Sequence, residues 1–314
     1  MKYLVTGGAG FIGSHVVDRL VAEGHQVRVL DDLSSGKLEN LADVRPRIEF
    51  LQADIRDRKL GAQACQGIDL VIHEAAWRSV PKSMADPWGY TDVNVLGTVN
   101  LLEGAVAAKV KRVVCVSSSS VYGDNTNVPF REDQPALPIS PYAASKFADE
   151  LYCGLFWRGF HLETVAVRYF NVFGPRQSLE NQYAVVIPKF IACLLRKESP
   201  PIYGDGSQSR DFTYIENVVE GTLLASRVPG VGGEVFNIAL GEEHTVLELL
   251  QELNRIMGLS IAPTFLPLRT GDMHRTLADA AKAKTKLGWR GAVGFQEGLR
   301  RTVEWFRAHP PIAR

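Results

Sequence analysis

Through the first half of the chain, short apolar blocks alternate with stretches whose apolar residues recur at helical spacing. Tyr3 to Thr6, Gln26 to Leu30, Ile48 to Leu51, Asp69 to His73 and Lys111 to Ser117 are a few residues each, which predicts buried strands. After the first block, Ile12, Val16 and Leu20, flanked by Val17 and Val21, give one apolar helix face to lay on a sheet. Alternation of this kind predicts an α/β fold built on a doubly wound parallel sheet.

Beyond Phe173 the pattern is less regular and more punctuated, with Gly174-Pro175, Pro200-Pro201, Gly204-Asp205-Gly206 and Gly230 to Gly233. A length of 314 residues suits two domains at roughly 150 residues each. We therefore expect one domain over residues 1–172 and a smaller C-terminal α/β domain over 173–314. The strand-like segment Glu234 to Leu240 could return to the main sheet, so part of 211–240 is expected to pack on the first domain.

Composition removes several classes of function. Lys plus Arg and Asp plus Glu both total 35, and no basic stretch points to nucleic acid. Cys65, Cys115, Cys153 and Cys193 stand far apart, which argues against a metal knuckle or a disulfide framework and suits a reducing cytoplasm. Met1 to Gly7 runs directly into a strand and a glycine turn, without the features of a signal peptide. No stretch is apolar for long enough to span a bilayer. The expectation is a cytoplasmic protein with no metal, no nucleic acid and no membrane.

The first turn carries the first chemistry. Thr6-Gly7-Gly8-Ala9-Gly10-Phe11-Ile12-Gly13 sets Gly7, Gly10 and Gly13 between a strand and a helix, where backbone N–H groups can approach a pyrophosphate that the helix N-terminus favours. Asp31, about 20 residues on, ends the second strand, where a carboxylate can accept both ribose hydroxyls. It would repel a 2′-phosphate, and neither Asp32 nor Leu33 supplies a compensating cation, so NAD is favoured over NADP. Asp32 and Ser35 are counted with this cofactor site. Asp54-Ile55 is placed to flank the adenine, although Asp54 reads equally well as a helix cap. Together these features predict a Rossmann-type sheet.

A second constellation sits at Ser140-Pro141-Tyr142-Ala143-Ala144-Ser145-Lys146. Ser140 can cap a helix, Pro141 suits its first turn, and Phe147, Leu151 and Leu155 are expected to form its buried stripe. Tyr142 and Lys146 are then neighbours one turn apart. A free tyrosine ionises near pH 10, so a tyrosine that works as a base near neutrality needs roughly 4 kcal/mol of preferential stabilisation. A lysine ammonium together with a positive nicotinamide can supply it. The run Val116-Ser117-Ser118-Ser119-Ser120-Val121-Tyr122-Gly123 ends a strand at the sheet's carboxyl edge, where a hydroxyl can pass a proton between a substrate and Tyr142.

Taken in order, TGGAGFIGSH, HEAAWRSVPKS, SSSSVYG, SPYAASK, RYFNVFGPRQ, GSQSRDFTYIENV, RTGDMHRTLAD and LGW resemble the extended short-chain dehydrogenase/reductase family over nearly the whole chain. Within it, the chain looks most like UDP-glucose and UDP-N-acetylglucosamine 4-epimerases. The resemblance implies a catalytic triad of Ser118, Tyr142 and Lys146, with Ser117 and Ser119 close enough to be alternatives for Ser118. It implies that Ala75 and Asn94, with His73, surround the cofactor and that Tyr169 lies near the nicotinamide. It also implies that Arg210, Arg269 and Asp272 bind the nucleotide diphosphate and ribose, that Asn171 contacts the sugar or phosphate, and that Tyr203 walls the uracil. Without the resemblance, His73 reads as a satisfied histidine at a strand end.

Thr276 stands where some hexose epimerases carry a large Tyr, so the resemblance implies room for an N-acetyl group, with Ser79 and Ser117 available to it. The implied reaction is oxidation of C4 of a UDP-hexose to a 4-keto sugar by bound NAD, then re-reduction from the other face. UDP-glucuronate 4-epimerase is an alternative. A 4,6-dehydratase or decarboxylase is less favoured, because family dehydratases carry Asp-Glu directly after the catalytic hydroxyl residue, where this chain has Ser119 and Ser120. A NAD-binding regulator without catalysis is the alternative from another class. A homodimer through helices near Pro87 to Ala107 and Pro141 to Arg158 is implied as well.

Overall fold

Strands form at all five expected places, each bound within a residue or two: β1 (Lys2–Thr6), β2 (Gln26–Asp31), β3 (Ile48–Gln52), β4 (Leu70–His73) and β5 (Arg112–Ser118). A sixth, β6 (Glu163–Tyr169), pairs with β5, and the strand Val235–Ile238 pairs with β6. The computed structural model describes residues 1–123, 125–178, 186–267 and 275–310. In the seven-stranded sheet the order is Val235–Ile238, β6, β5, β4, β1, β2, β3, parallel throughout. From β1 the chain builds outward through β2 and β3, then crosses back to β4 on the other side. That reversal opens a crevice at the carboxyl ends of β1 and β4, the usual ligand position in a Rossmann-type sheet.

Helices cover both faces. α1 (Phe11–Ala22) lays Phe11, Val16, Val17, Leu20 and Val21 on the sheet. Four short helical elements follow: α2 (Arg58–Ala64), α3 (Val80–Ala85), α4 (Pro87–Tyr90) and, after a π-helical turn at Thr91–Leu96, α5 (Gly97–Ala107). α6 (Pro141–Phe160) begins where its signals put it, with Ser140 Oγ accepting the Ala143 N–H at 3.1 Å and Pro141 in the first turn.

The buried face of α6 differs from expectation. Leu151 and Leu155 are 58% and 47% exposed and Phe147 is half-buried, while Ala143, Lys146, Glu150 and Cys153 face inward. Two stripes a third of a turn apart share this helix, and the sheet takes the polar one, where Glu150 pairs with Arg168 of β6 and Lys146 is neutralised by Asp149 of the helix itself. The apolar stripe is left outside.

The later part of the chain adds α7 (Val186–Leu195), α8 (Ile215–Arg227), α9 (Val246–Met257) and α10 (Phe295–Ala308) around small sheets. Val172–Phe173 pairs with Thr213–Tyr214, and Ser209–Arg210 lies between His244–Thr245 and Arg275–Thr276. Trp289 is fully buried, its Nε1 donating to the Asn217 carbonyl at 2.8 Å. The Asn217 side chain in turn spans both polar groups of Val293. Trp289→Ala should therefore cost about 3–5 kcal/mol through lost burial and a cavity. Urea denaturation reads this directly, and an unchanged midpoint would mean that the indole holds nothing in place.

Candidate active site

A cleft of ≈ 440 Å³ opens at the carboxyl ends of β1, β2, β4, β5 and β6. Its first wall is the glycine turn. Gly7 has φ +67°, donates to the Leu30 carbonyl at 2.7 Å and accepts from Gly10 N–H at 3.0 Å. A Cβ on Gly13 would lie 2.3 Å from the Gly7 oxygen, so only glycine lets the helix start this close to the turn. Asp31 ends β2 under that turn, 5% exposed, its Oδ2 accepting from Ala9 N–H and its Oδ1 from Leu33 N–H, each at 2.9 Å. Burial raises the Asp31 carboxyl; those two N–H groups oppose the rise and neighbouring Asp32 adds to it. Each oxygen keeps a lone pair for a ligand hydroxyl. A glycine cradle with a buried acceptor-only group at its rim fits the diphosphate and ribose of NAD.

Phe11, Ile12, Asp32, Ser35, Asp54, Ile55 and Ala75 also line this cleft. The Asp54 carboxylate binds the Arg56 guanidinium at 2.6 Å and the Arg56 N–H at 2.8 Å, while Asp57 caps α2. Helix capping is thus not Asp54's task.

The opposite wall carries Ser117, Ser118, Tyr142, Lys146, Tyr169 and Asn171. Lys146 is 3% exposed and its Nζ donates to Asp149 Oδ2 at 3.0 Å. Burial pulls a lysine down; the Asp149 carboxylate, with smaller contributions from Cys115 and Tyr142, overrides it and holds Lys146 above its usual range. Burial pushes Asp149 up to about 6 against the pull of Lys146, so the pair is charged at neutrality. Tyr90 stands edge-on to Tyr142 at 6.4 Å, and Trp77 stands edge-on to Tyr90 at 5.5 Å. Ser118 Oγ accepts from the Ser120 backbone N–H at 3.2 Å and from its hydroxyl at 3.0 Å. Ser117, by contrast, donates to the buried Glu150 carboxylate, which a two-pronged bond ties to Arg168.

Several expected residues are not brought into this lining. Asn94 is fully buried beneath it: Oδ1 accepts from Trp77 N–H, and Nδ2 donates to the Trp77 carbonyl and to Ser145 Oγ. Its amide is spent on bracing the wall. Ser79 caps α3, accepting from Lys82 N–H. Thr276 is 1% exposed, with Oγ1 3.1 Å from Asn171 Nδ2, so it stands behind Asn171. Arg210 neighbours it across the sheet register, with Nη1 donating to the Ser209 carbonyl. Tyr203 lies farther off, with Lys189 6.0 Å from its ring centroid. Arg269 and Asp272 lie outside the described residues. His73 is buried between Thr6 Oγ1 and Thr98 Oγ1 at 2.7 and 2.9 Å, and burial, aided by Lys146, brings it down to about 3.

Sequence reasoning missed Glu74, Trp77, Arg78 and Gln177, which line the cleft, and Asp149 behind Lys146. Glu74 and its neighbours were within reach, since they directly follow the β4 strand at its carboxyl end. Among the described residues no group of side chains has the arrangement of a metal site, and no helix is long and apolar enough to cross a membrane.

The family sequence model described as GDP-mannose 4,6 dehydratase matches residues 4–302. A UDP-glucose 4-epimerase of Mycolicibacterium smegmatis is 42% identical over 311 residues, covering 98% of this chain and 99% of that protein. Among solved structures, the UDP-N-acetylglucosamine 4-epimerase from Methanobrevibacter ruminantium, in complex with UDP-N-acetylmuramic acid, has a TM-score of 0.94 at 40% identity, with 98% of each chain covered. The Thermus thermophilus UDP-glucose 4-epimerase in complex with NAD has a TM-score of 0.90 at 37% identity, covering 98% of this chain and 99% of that one.

Gly13→Ala should sharply reduce retained NAD while leaving the fold intact, because the added methyl reaches the turn's own carbonyl. The ratio of released nucleotide to protein after denaturation measures this. Undiminished NAD in the variant would show that the turn is not the diphosphate cradle.

Proposed function

Because the chain belongs to the extended short-chain dehydrogenase/reductase family, through the group described as GDP-mannose 4,6 dehydratase, we propose that it is a UDP-hexose 4-epimerase interconverting UDP-glucose and UDP-galactose. The observation that carries this reading is the buried ammonium of Lys146 lining one cleft with Tyr142, Ser118 and the glycine turn. A NAD-binding regulator has no use for a tyrosine and a buried ammonium facing one cleft.

In the reaction, Tyr142 as phenolate takes the C4 hydroxyl proton, directly or through Ser118. Lys146 stays an ammonium because Asp149 neutralises its surroundings, and it stabilises the phenolate electrostatically. NAD, held by the glycine turn and Asp31, would supply the hydride acceptance and return that inversion at C4 requires. Arg210, with Arg269 and Asp272, is proposed to hold the nucleotide diphosphate while the 4-keto sugar turns over. Ser118 is favoured over Ser117 as relay, since the Ser117 hydroxyl is engaged by Glu150. Ser119 and Ser120 line the cleft without an acid or base of their own, which speaks against the dehydratase chemistry in the family's description.

Turnover of N-acetylated UDP-sugars is a second reading, favoured by the similarity to a UDP-N-acetylglucosamine 4-epimerase and by the small Thr276. The buried place of Thr276 behind Asn171 gives it no direct wall on the cleft, so any room it leaves acts through Asn171. We also propose a homodimer in a reducing cytoplasm. Trp88, Leu96, Leu151 and Leu155 are 75%, 51%, 58% and 47% exposed on helices packed side by side, and the four cysteines are free and buried.

UDP-glucose, UDP-N-acetylglucosamine and UDP-glucuronate, offered separately without added NAD, should yield UDP-galactose from the first. Conversion of UDP-glucuronate alone would replace this reading with its main alternative. Tyr142→Phe should retain NAD but lose about 10²–10⁴-fold in kcat; full turnover would remove Tyr142 as the base. Thr276→Tyr should selectively lower turnover of the N-acetylated sugar, and equal losses on both sugars would sink the second reading. For the assembly, Leu155→Glu should convert a dimer to a monomer in light scattering, and a monomeric parent protein would refute it outright.

A further inference from the structure

Glu74 follows β4 and lines the cleft, yet the mechanism above does not use it. Its Oε1 lies 2.8 Å from Tyr169 Oη, which lies 2.6 Å from Thr222 Oγ1, which lies 2.8 Å from the Val218 carbonyl oxygen. These three contacts require three hydrogens. A carbonyl can only accept, so Thr222 donates to Val218, and Tyr169 must then donate to Thr222. With both of those bonds formed, the hydrogen of the third contact comes from Glu74. Were Glu74 ionised, Tyr169 would donate to it, and one of the remaining oxygen pairs would face each other with no hydrogen between them.

We propose that Glu74 keeps its proton up to neutrality, a positioning residue whose hydrogen fixes Tyr169 against the cleft and leaves the field of Lys146 undivided for Tyr142. The groups that act on it are few. Lys146 reaches it from α6, Tyr169 from β6, and Cys115 of β5 acts on those same two groups. From α8 only the Thr222 hydroxyl enters the chain, and neighbouring His73 is turned away toward Thr6 and Thr98. Burial pushes the Glu74 carboxyl up to about 7, with Tyr169 and Lys146 pulling the other way. As the pH rises through that value, the proton leaves to solvent, Tyr169 swings its hydrogen to Glu74 and a new negative charge competes for Lys146. Activity should then fall on the alkaline side.

Only the kinetic half of the test depends on the epimerase reading. The pH profile of kcat with UDP-glucose should fall for the parent protein by about tenfold per unit above the Glu74 titration. Glu74→Gln, whose amide can donate where the acid did, should lose this alkaline decline. Glu74→Leu, which cannot donate, should lower kcat by about tenfold at every pH, the worth of one lost hydrogen bond. In the protein as purified, labelled with [5-¹³C]glutamate, the carboxyl resonance absent from Glu74→Gln should titrate near neutrality, well above the other glutamates. An identical alkaline decline in Glu74→Gln overturns the proposal, as does a Glu74 resonance that titrates in the ordinary carboxylate range. Absence of turnover in the parent protein would overturn the epimerase reading while leaving the resonance to decide the state of Glu74.

Discussion

The ion pair between Lys146 and Asp149 is the contact on which the rest of the site depends. Both side chains are withdrawn from water, 3% and 0% exposed, and a lone charge in either place would cost several kcal/mol. Pairing makes the ammonium tolerable and also fixes α6, since the carboxylate is one turn from the lysine on the same buried face. Around it the buried polar groups form a continuous set. Ala75 N–H meets Thr6 Oγ1, Thr6 meets His73, His73 meets Thr98, and Thr98 donates to the Asn94 carbonyl. Because Thr98 spends its hydrogen on Asn94, His73 must carry its own on Nε2 and accept at Nδ1. A neutral histidine with a fixed tautomer thus joins the glycine-turn strand to α5, which packs against α6.

The parts legible in the sequence were those that local physics specifies. Gly7, Gly10 and Gly13 announced a close backbone approach, and Asp31 announced a carboxylate at the next strand end; both follow from spacing alone. Ser140 and Pro141 marked the start of α6 for the same reason. Leu151 and Leu155 were misread because an apolar stripe at helical spacing looks alike whether it faces a core or a partner. The neighbouring polar stripe is inside because Glu150 meets Arg168 and Lys146 meets Asp149, and only tertiary structure shows that. The place of Glu74 at the carboxyl end of β4 was legible, but its contact with Tyr169, 95 positions away, was not. Asn94 and Thr276 kept their neighbourhoods but not a place on the cleft wall.

Two walls of different origin therefore meet at one edge of the sheet. The first wall centres on a glycine turn where an added side chain would meet backbone, and the second is made of hydroxyls, a phenol and a shielded ammonium. From that wall Ser117 donates back to Glu150, which with Arg168 and Tyr122 lies behind it, the guanidinium 4.7 Å from the Tyr122 ring centroid. Such an arrangement resists rotation of the strand end that presents Ser118. The position of Ser118 is thus set by buried groups one layer behind it.

The return of Val235–Ile238 to the sheet has a consequence for how this chain can be divided. That strand covers the flank of β6, pairing with it from Ala166 to Tyr169. A fragment ending near residue 172 would keep the glycine turn, Asp31 and the base, yet expose a row of unpaired backbone donors and acceptors along β6. Such an edge invites other strands. The β6 flank is thus covered by a strand that the chain supplies only after α7 and α8, and a cut near residue 172 would yield a sticky fragment rather than a self-contained one.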